Sequence, residues 1–236
     1  MIKPQYSRTT MLIGEQAFLR LKKSRVIVFG IGGVGGFVTE ALARAGIGTL
    51  GIVDFDRVDI TNLNRQIIAL HSTVGRLKTE VMEERIAEID PGIAVRAFPL
   101  RVTEDTIEDF CLADWDYVVD AIDDVAAKLM LIQKAKERGK PVISSMGTGN
   151  KLDPSKFQIA DIEKTHTCPL ARTMRREISK MGLKKVKVLF SPEQPTRADD
   201  KKTPTASISF VPASAGLLIA SEVVKDILVN IHCLSF

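Results

Sequence analysis

The sequence predicts an α/β fold: a Rossmann-like, mostly parallel sheet with helices on both faces, extended by a C-terminal section of strands and helices. Three observations carry that expectation. Short apolar runs alternate with helical patterns, the sequence form of parallel strands joined by helical crossovers. The first run, Val26–Phe29, stops at a glycine cluster, Gly30-Ile-Gly32-Gly33-Val-Gly35, and a helical pattern follows at once. The second run, Leu50–Val53, ends in Asp54, about 20 residues beyond those glycines, the spacing of an acid that holds ribose hydroxyls.

The elements follow in order. Residues 11–22 have the pattern of an amphipathic helix. Strands are expected near 26–29, 50–53, 94–98, 117–121 and 141–145, and helices near 34–45, 76–89, 103–111 and 125–138. Asp90-Pro91-Gly92 and Gly139-Lys140-Pro141 stop two of these helices. Beyond Gly149, strands near 157–161, 186–190 and 207–211 accompany one helix near 169–181. The stretch Phe210–Ala220 reads as strand plus buried helix and is too short to span a bilayer. Residues 192–205 carry almost no apolar side chains and read as a mobile loop that substrate would order. One unit over 1–236 is expected, with a nucleotide-binding half, 1–149, and a substrate half, 150–236.

Composition bounds the function. A chain of 236 residues with 45% hydrophobic content can bury a large core. Its start, Met1-Ile-Lys-Pro-Gln-Tyr6, lacks the apolar segment of a signal peptide, so a cytoplasmic protein with no membrane partner is expected. The net charge of +4 permits a nucleic-acid partner without requiring one. The cysteines, Cys111, Cys168 and Cys233, form no C-x-x-C pair, which argues against structural zinc. Cys111 reads as a core residue on a short helix and Cys233 as incidental.

The glycine cluster leaves room for phosphate to touch backbone, and the helix after it offers unpaired N–H groups at the positive end of a dipole. A nicotinamide dinucleotide would fit up to this point. The next residues favour a triphosphate: Asp54-Phe-Asp56, then Asn62-Leu-Asn64-Arg65-Gln66, then Lys78. Arg65 can fork two donors onto phosphate oxygens, Lys78 supplies a compact charge, and Asn62 and Asn64 can donate amide hydrogens. The apolar run from Tyr117 ends in Asp123 and Asp124, acids at a strand tip facing the crevice and candidates to hold Mg²⁺.

Taken together, these motifs resemble the adenylating enzymes related to ubiquitin activation, the ThiF, MoeB and HesA group, over nearly the whole chain. The resemblance implies that Asp54 binds the ribose of ATP, that Arg65 and Lys78 hold its phosphates, and that Asp123 binds Mg²⁺. Gly33 and residues 62–64 would line the same pocket. Four further runs, Thr61–His71, Ser144–Pro154, Ala160–Thr165 and Ser207–Pro212, are similar to one branch, the tRNA threonylcarbamoyladenosine dehydratases. That resemblance implies an ATP-dependent cyclisation: the threonyl carboxylate attacks the α-phosphate, pyrophosphate leaves, the neighbouring carbamoyl group attacks the acyl-adenylate, and AMP departs. It also implies a homodimer, with Arg8 reaching the partner's nucleotide site, and leaves room for a sulfur-transfer protein as a partner. Relatives of the fold carry an acceptor cysteine in a crossing loop, which makes Cys168 a candidate, with His166 placed to lower its pKa.

The helix near 169–181 carries the nucleic-acid signal. Leu170, Met174, Ile178 and Met181 share one face, and Arg172, Arg175, Arg176 and Lys180 another, with Lys184, Lys185 and Lys187 following. Such a stripe can neutralise tRNA phosphates, and a solvated helix face is the plainer alternative. Two other functions fit parts of the pattern. A sulfur-carrier-protein adenylyltransferase would share every ATP residue, and an NAD-binding oxidoreductase or nucleotide-binding module would leave Arg65, Lys78 and Asp123 without work.

Overall fold

The computed structural model describes residues 3–196 and 205–229. Two helices, α1 (Ser7–Ile13) and α2 (Glu15–Lys23), precede β1 (Arg25–Phe29). Then come α3 (Gly35–Ala45), β2 (Thr49–Val53), α4 (Lys78–Ile89), β3 (Ala94–Phe98), β4 (Tyr117–Asp120), α5 (Val125–Glu137) and β5 (Val142–Ser145). The second half adds β6 (Gln158–Asp161), α6 (Pro169–Lys180), β7 (Lys187–Phe190) and α7 (Phe210–Leu228). The seven strands form one sheet in the order β3-β2-β1-β4-β5-β7-β6, parallel except for β6, which runs against β7. The expected architecture is therefore observed.

The strand order fixes where a ligand can enter. From β1 the chain winds outward through β2 and β3, then returns to place β4 on the other side of β1. Loops leaving β1 and β4 diverge there and open a crevice at the carboxyl ends of the strands. The central strands β1 and β4 read as near-continuous apolar runs because both of their faces are covered; β5 is as buried but ends in Ser144 and Ser145. One core cluster joins α3, α7 and the sheet through Val38, Leu42, Ile52, Ile219 and Val223; the other joins α5 and α6 through Leu131, Ile132, Met174 and Ile178. Each such aliphatic chain contributes roughly 1.5–3 kcal/mol relative to exposure.

Several expected elements take a different form. The helix expected over residues 11–22 is two helices, broken at Gly14, whose φ of 82° and ψ of 158° no helix can absorb. The helix expected over 103–111 is a pair of 3₁₀ turns, Ile107–Phe110 and Leu112–Asp114. Hydroxyl bonds compete with helical pairing there: Thr106 Oγ1 reaches Arg101 O at 2.5 Å, and Trp115 Nε1 pulls on Phe110 O at 2.9 Å. Cys111, expected in the core, is exposed at the junction of the two turns with φ 45°. The strand expected over 207–211 does not form; that run enters α7, where Pro212 sits in the first turn and no N–H is needed. One side of the helix, Val211, Ala215, Ile219 and Val223, packs on α3 and the sheet, while Leu217 and Leu218 remain exposed. Cys233 and residues 197–204 of the expected loop lie outside the described residues.

Candidate active site

The glycine turn is built by close contacts. Gly30 has φ 86°, and a side chain there would meet Ala121 O at 2.7 Å; one at Gly35 would meet Gly30 O at 1.8 Å. These two glycines let β1, β4 and α3 converge. Gly32 and Gly33 stand at the open side of the turn, with Arg65 and Pro212 beside Gly33. Among the described residues, the backbone N–H groups of Gly32, Gly33 and Val34 have no protein partner. Three free donors at the start of α3 form an anion-binding cradle.

Around this cradle stand the charged groups. Asp54, buried at the end of β2, accepts from Ile31 N at 2.7 Å and from Asp56 N at 2.9 Å. Burial pushes its pKa up, against the opposing pull of Lys78 and of the two amides. Lys78, the first residue of α4, is buried, and its ammonium lies 2.9 Å from Asp56 and 3.8 Å from Asp54. Arg65 spends Nη1 on Thr61 O and Asn64 Oδ1, leaving the rest of its fork without a partner among the described residues. Gln66 is 7% exposed, its Oε1 has no hydrogen-bond partner, and its amide lies next to the space a side chain on Gly32 would fill. The free N–H groups call for an acceptor and Gln66 Oε1 for a donor, so a polar ligand absent from the protein alone would complete both.

Asp123 is exposed just past β4, and its carboxylate has no partner among the described residues. No group of three or more His, Cys, Asp or Glu side chains is gathered among them. One free carboxylate beside a phosphate cradle fits Mg²⁺, which takes one or two carboxylates, substrate phosphates and water.

Other expected ligands turn out to be committed to the protein. Asn62 closes a capping box with Asp59, its Oδ1 accepting from Asp59 N at 3.1 Å, so it shapes the turn that aims Arg65. Asn64 donates to Ser207 O at 3.1 Å and is spent joining the halves of the chain. Asp124 caps α5 by accepting from Ala127 N at 2.8 Å. Cys168 is 2% exposed, beside Gly147, and His166 bonds Thr167 Oγ1 rather than the thiol. The candidate crossing-loop cysteine is thus shut from solvent in the protein alone. Arg8 is exposed on α1, next to Met11 and Leu12, which are 83% and 81% exposed.

The basic residues divide along α6. Arg172 is exposed near the carboxyl pole of the sheet, whereas Arg175 ties down the preceding loop through Thr165. Glu177 pairs with Arg176 and Lys180. Lys180, Lys184 and Lys185 are exposed towards the other end of the helix, Lys180 roughly 12 Å from Arg172 along its axis. Lys187 does not belong to the stripe; Glu222 and Asp226 hold it at 2.7 Å each.

Two groups were missed in the sequence. Asp120, Lys128 and Ser144 form a closed buried cluster under Asp123; charged residues inside the apolar runs of β4 and α5 were the available signal. Asn150, with φ 56°, gathers both stems of the 197–204 segment: Thr196 N reaches its carbonyl at 2.7 Å, and Ala206 N its Oδ1 at 2.8 Å. Nothing local in the sequence pointed to it.

Relatives cover nearly the whole chain. A tRNA threonylcarbamoyladenosine dehydratase of Bacillus subtilis (strain 168) is 46% identical over 244 residues, 97% of this chain and 96% of the relative. The solved structure of Escherichia coli tRNA N6-threonylcarbamoyladenosine dehydratase in complex with ATP superposes with a TM-score of 0.90 at 35% identity, covering 96% of this chain and 94% of that one. The AMP complex of the same enzyme gives 0.90, with 96% and 95% covered. With the profile of the ThiF family matching residues 6–233, the chain belongs to the ThiF family.

Proposed function

We infer that this chain is an ATP-dependent tRNA threonylcarbamoyladenosine dehydratase that activates its substrate by carboxylate adenylation. The observation that carries the reading is the cradle of three free amides beside the orphan Gln66, ringed by Arg65, Lys78 and Asp54, in a chain alike over 97% of its length to a dehydratase of that name. We propose that the ribose hydroxyls bond Asp54, which has acceptor capacity left after its two amides. The phosphates lie on the N–H groups of Gly32, Gly33 and Val34. Lys78 turns from Asp56 to the phosphates when they arrive, and Arg65 brings its free donors to the same oxygens. As the threonyl carboxylate attacks the α-phosphate, negative charge builds on oxygens that these groups already face, so the protein acts mainly by positioning and charge stabilisation. Mg²⁺, held by Asp123, would neutralise the departing pyrophosphate.

The half 150–236 would receive the modified adenosine, with the whole chain working as one unit. Arg172 and Arg176 would meet tRNA phosphates near the site, and Lys180, Lys184 and Lys185 would follow the backbone further away. The exposed pair Met11 and Leu12 would pack on a second copy in a homodimer, bringing Arg8 of each protomer to the other's phosphates. No helix among the described residues is long and apolar enough to cross a membrane, in keeping with a cytoplasmic enzyme.

The test is mass spectrometry of nucleosides from threonylcarbamoyladenosine-bearing tRNA after incubation with the protein, ATP and Mg²⁺. Loss of one water from the modified nucleoside is expected, with AMP formed in step. Active, ATP-binding protein that leaves the nucleoside mass unchanged would sink the reading.

A further inference from the structure

Beneath the exposed Asp123 lies a polar cluster with no contact to solvent. Asp120, the last residue of β4, and Lys128, on the second turn of α5, both have fully buried side chains, 3.0 Å apart. Ser144, buried on β5, donates to the same carboxylate at 2.5 Å. The other carboxylate oxygen accepts from Ile122 N at 3.1 Å, while Lys128 also donates to Ile122 O at 3.0 Å. Both polar groups of one peptide unit pair, those of Ile122, are thereby fixed by a single ion pair. Ile122 lies between Ala121, whose carbonyl abuts Gly30, and Asp123. At the far side, Asp124 anchors the segment to α5 through Ala127 N.

Stability gives little reason for this arrangement. Taking two charges out of water is costly, and apolar side chains of similar volume often serve a core equally well. Its geometric effect is specific. The four-residue bridge between β4 and α5, Ala121–Asp124, is held at Ile122 against sliding along the strand while the ion pair holds.

We propose that Lys128, Asp120 and Ser144 are positioning residues that fix the Asp123 carboxylate relative to the Gly30 turn, and so set the affinity for the divalent cation that accompanies the nucleotide. None of the three touches the reacting atoms. The proposal rests on the reading of Asp123 as the metal carboxylate. The cluster acts through the backbone of Ile122, one residue before the carboxylate; partners bonded directly to metal-binding side chains change metal affinity about ten- to a hundredfold, which sets the scale.

The experiment measures Mn²⁺ binding by loss of the free-ion electron paramagnetic resonance signal, in the presence of a non-hydrolysable α,β-methylene analogue of ATP. The full-length wild type, Asp123→Asn, Ser144→Ala and the double variant Asp120→Asn with Lys128→Met are compared. The double variant is used because Lys128→Met alone leaves a buried carboxylate uncompensated, and Ser144→Ala provides a milder lesion should the double variant not fold. The expected result is a Kd for Mn²⁺ raised about tenfold or more in the double variant and in the same direction in Ser144→Ala, with the analogue's affinity in EDTA unchanged. Folded variants that bind Mn²⁺ like the wild type, while Asp123→Asn does not, overturn the positioning role. Unaltered Mn²⁺ binding in Asp123→Asn overturns the metal role of Asp123 itself.

Discussion

Alanine at two neighbouring glycines should separate the turn's architecture from its ligand. A Cβ on Gly35 would stand 1.8 Å from Gly30 O, so it must gain about 1.6 Å to reach ordinary contact at 3.4 Å. The neighbour is backbone, locked between β1 and β4, and cannot rotate away. Overpacking costs about 1–3 kcal/mol where side chains can yield, and a carbonyl puts Gly35→Ala at or above the upper end. At about 2–4 °C per kcal/mol for a chain of this size, Tm should fall by roughly 6–12 °C. A Cβ on Gly32 meets nothing nearer than Gln66 Nε2 at 3.9 Å. Gly32→Ala should therefore melt within about 2 °C of wild type, since strain-free substitutions stay within about 0.5 kcal/mol. Yet its methyl occupies the mouth of the cradle, so ATP should bind at least about tenfold more weakly, a loss of about 1.4 kcal/mol. Thermal melts and calorimetric titration with ATP read both quantities. Wild-type ATP affinity in Gly32→Ala, or a wild-type Tm in Gly35→Ala, would refute the reasoning.

Further outcomes follow from other contacts. Burial pushes the Asp90 carboxyl up, but bonds from Lys3, Gly92 N, Tyr6 and Lys22 outweigh it and hold the pKa well below the usual range. A depressed carboxylate stabilises above its unfolded pKa and loses that contribution as pH falls, so the stability gap between wild type and Asp90→Asn should be full at pH 7 and shrink below about pH 4 in urea titrations. Asn150→Ala removes the bond to Ala206 N and puts alanine at φ 56°; it should raise KM for tRNA while ATP affinity stays unchanged, and Asn150→Gly should relieve the strain without restoring the bond. Mixing inactive Arg8→Ala and Lys78→Ala proteins should restore about a quarter of wild-type activity per site, because half of randomly formed dimers hold one intact site; no recovery after verified subunit exchange would remove the trans role. Arg172→Ala should lower the salt dependence of tRNA binding by about one unit of slope, with ATP binding untouched; an unchanged slope would place the tRNA elsewhere.

The nucleotide half was legible because its signals are local. Gly30 to Gly35 must lie in a tight turn whatever surrounds them, and Asp54 follows from the length of one crossover. Arg65 and Lys78 were legible as charges close to the glycine turn, although Lys78 pairs with Asp56 in the protein alone. The same reasoning did not foresee the protein-internal bonds of Asn62, Asn64 and Asp124, because an amide or carboxylate near a site has two outlets, ligand and backbone, and composition does not choose between them. Local hydroxyl bonds turned the expected helix over 103–111 into 3₁₀ turns, and burial on several sides disguised the start of α7 as a strand.

By itself, then, the sequence determined the α/β architecture and the tight glycine turn after β1, since each depends on neighbours a few residues away. Tertiary structure decided which of the charges around that turn are free. The Ile122 clamp spans β4, α5 and β5, and the Asn150 clasp joins segments more than 40 residues apart. Such contacts depend on distances between elements, which arise only once the sheet has formed and its crossovers have packed.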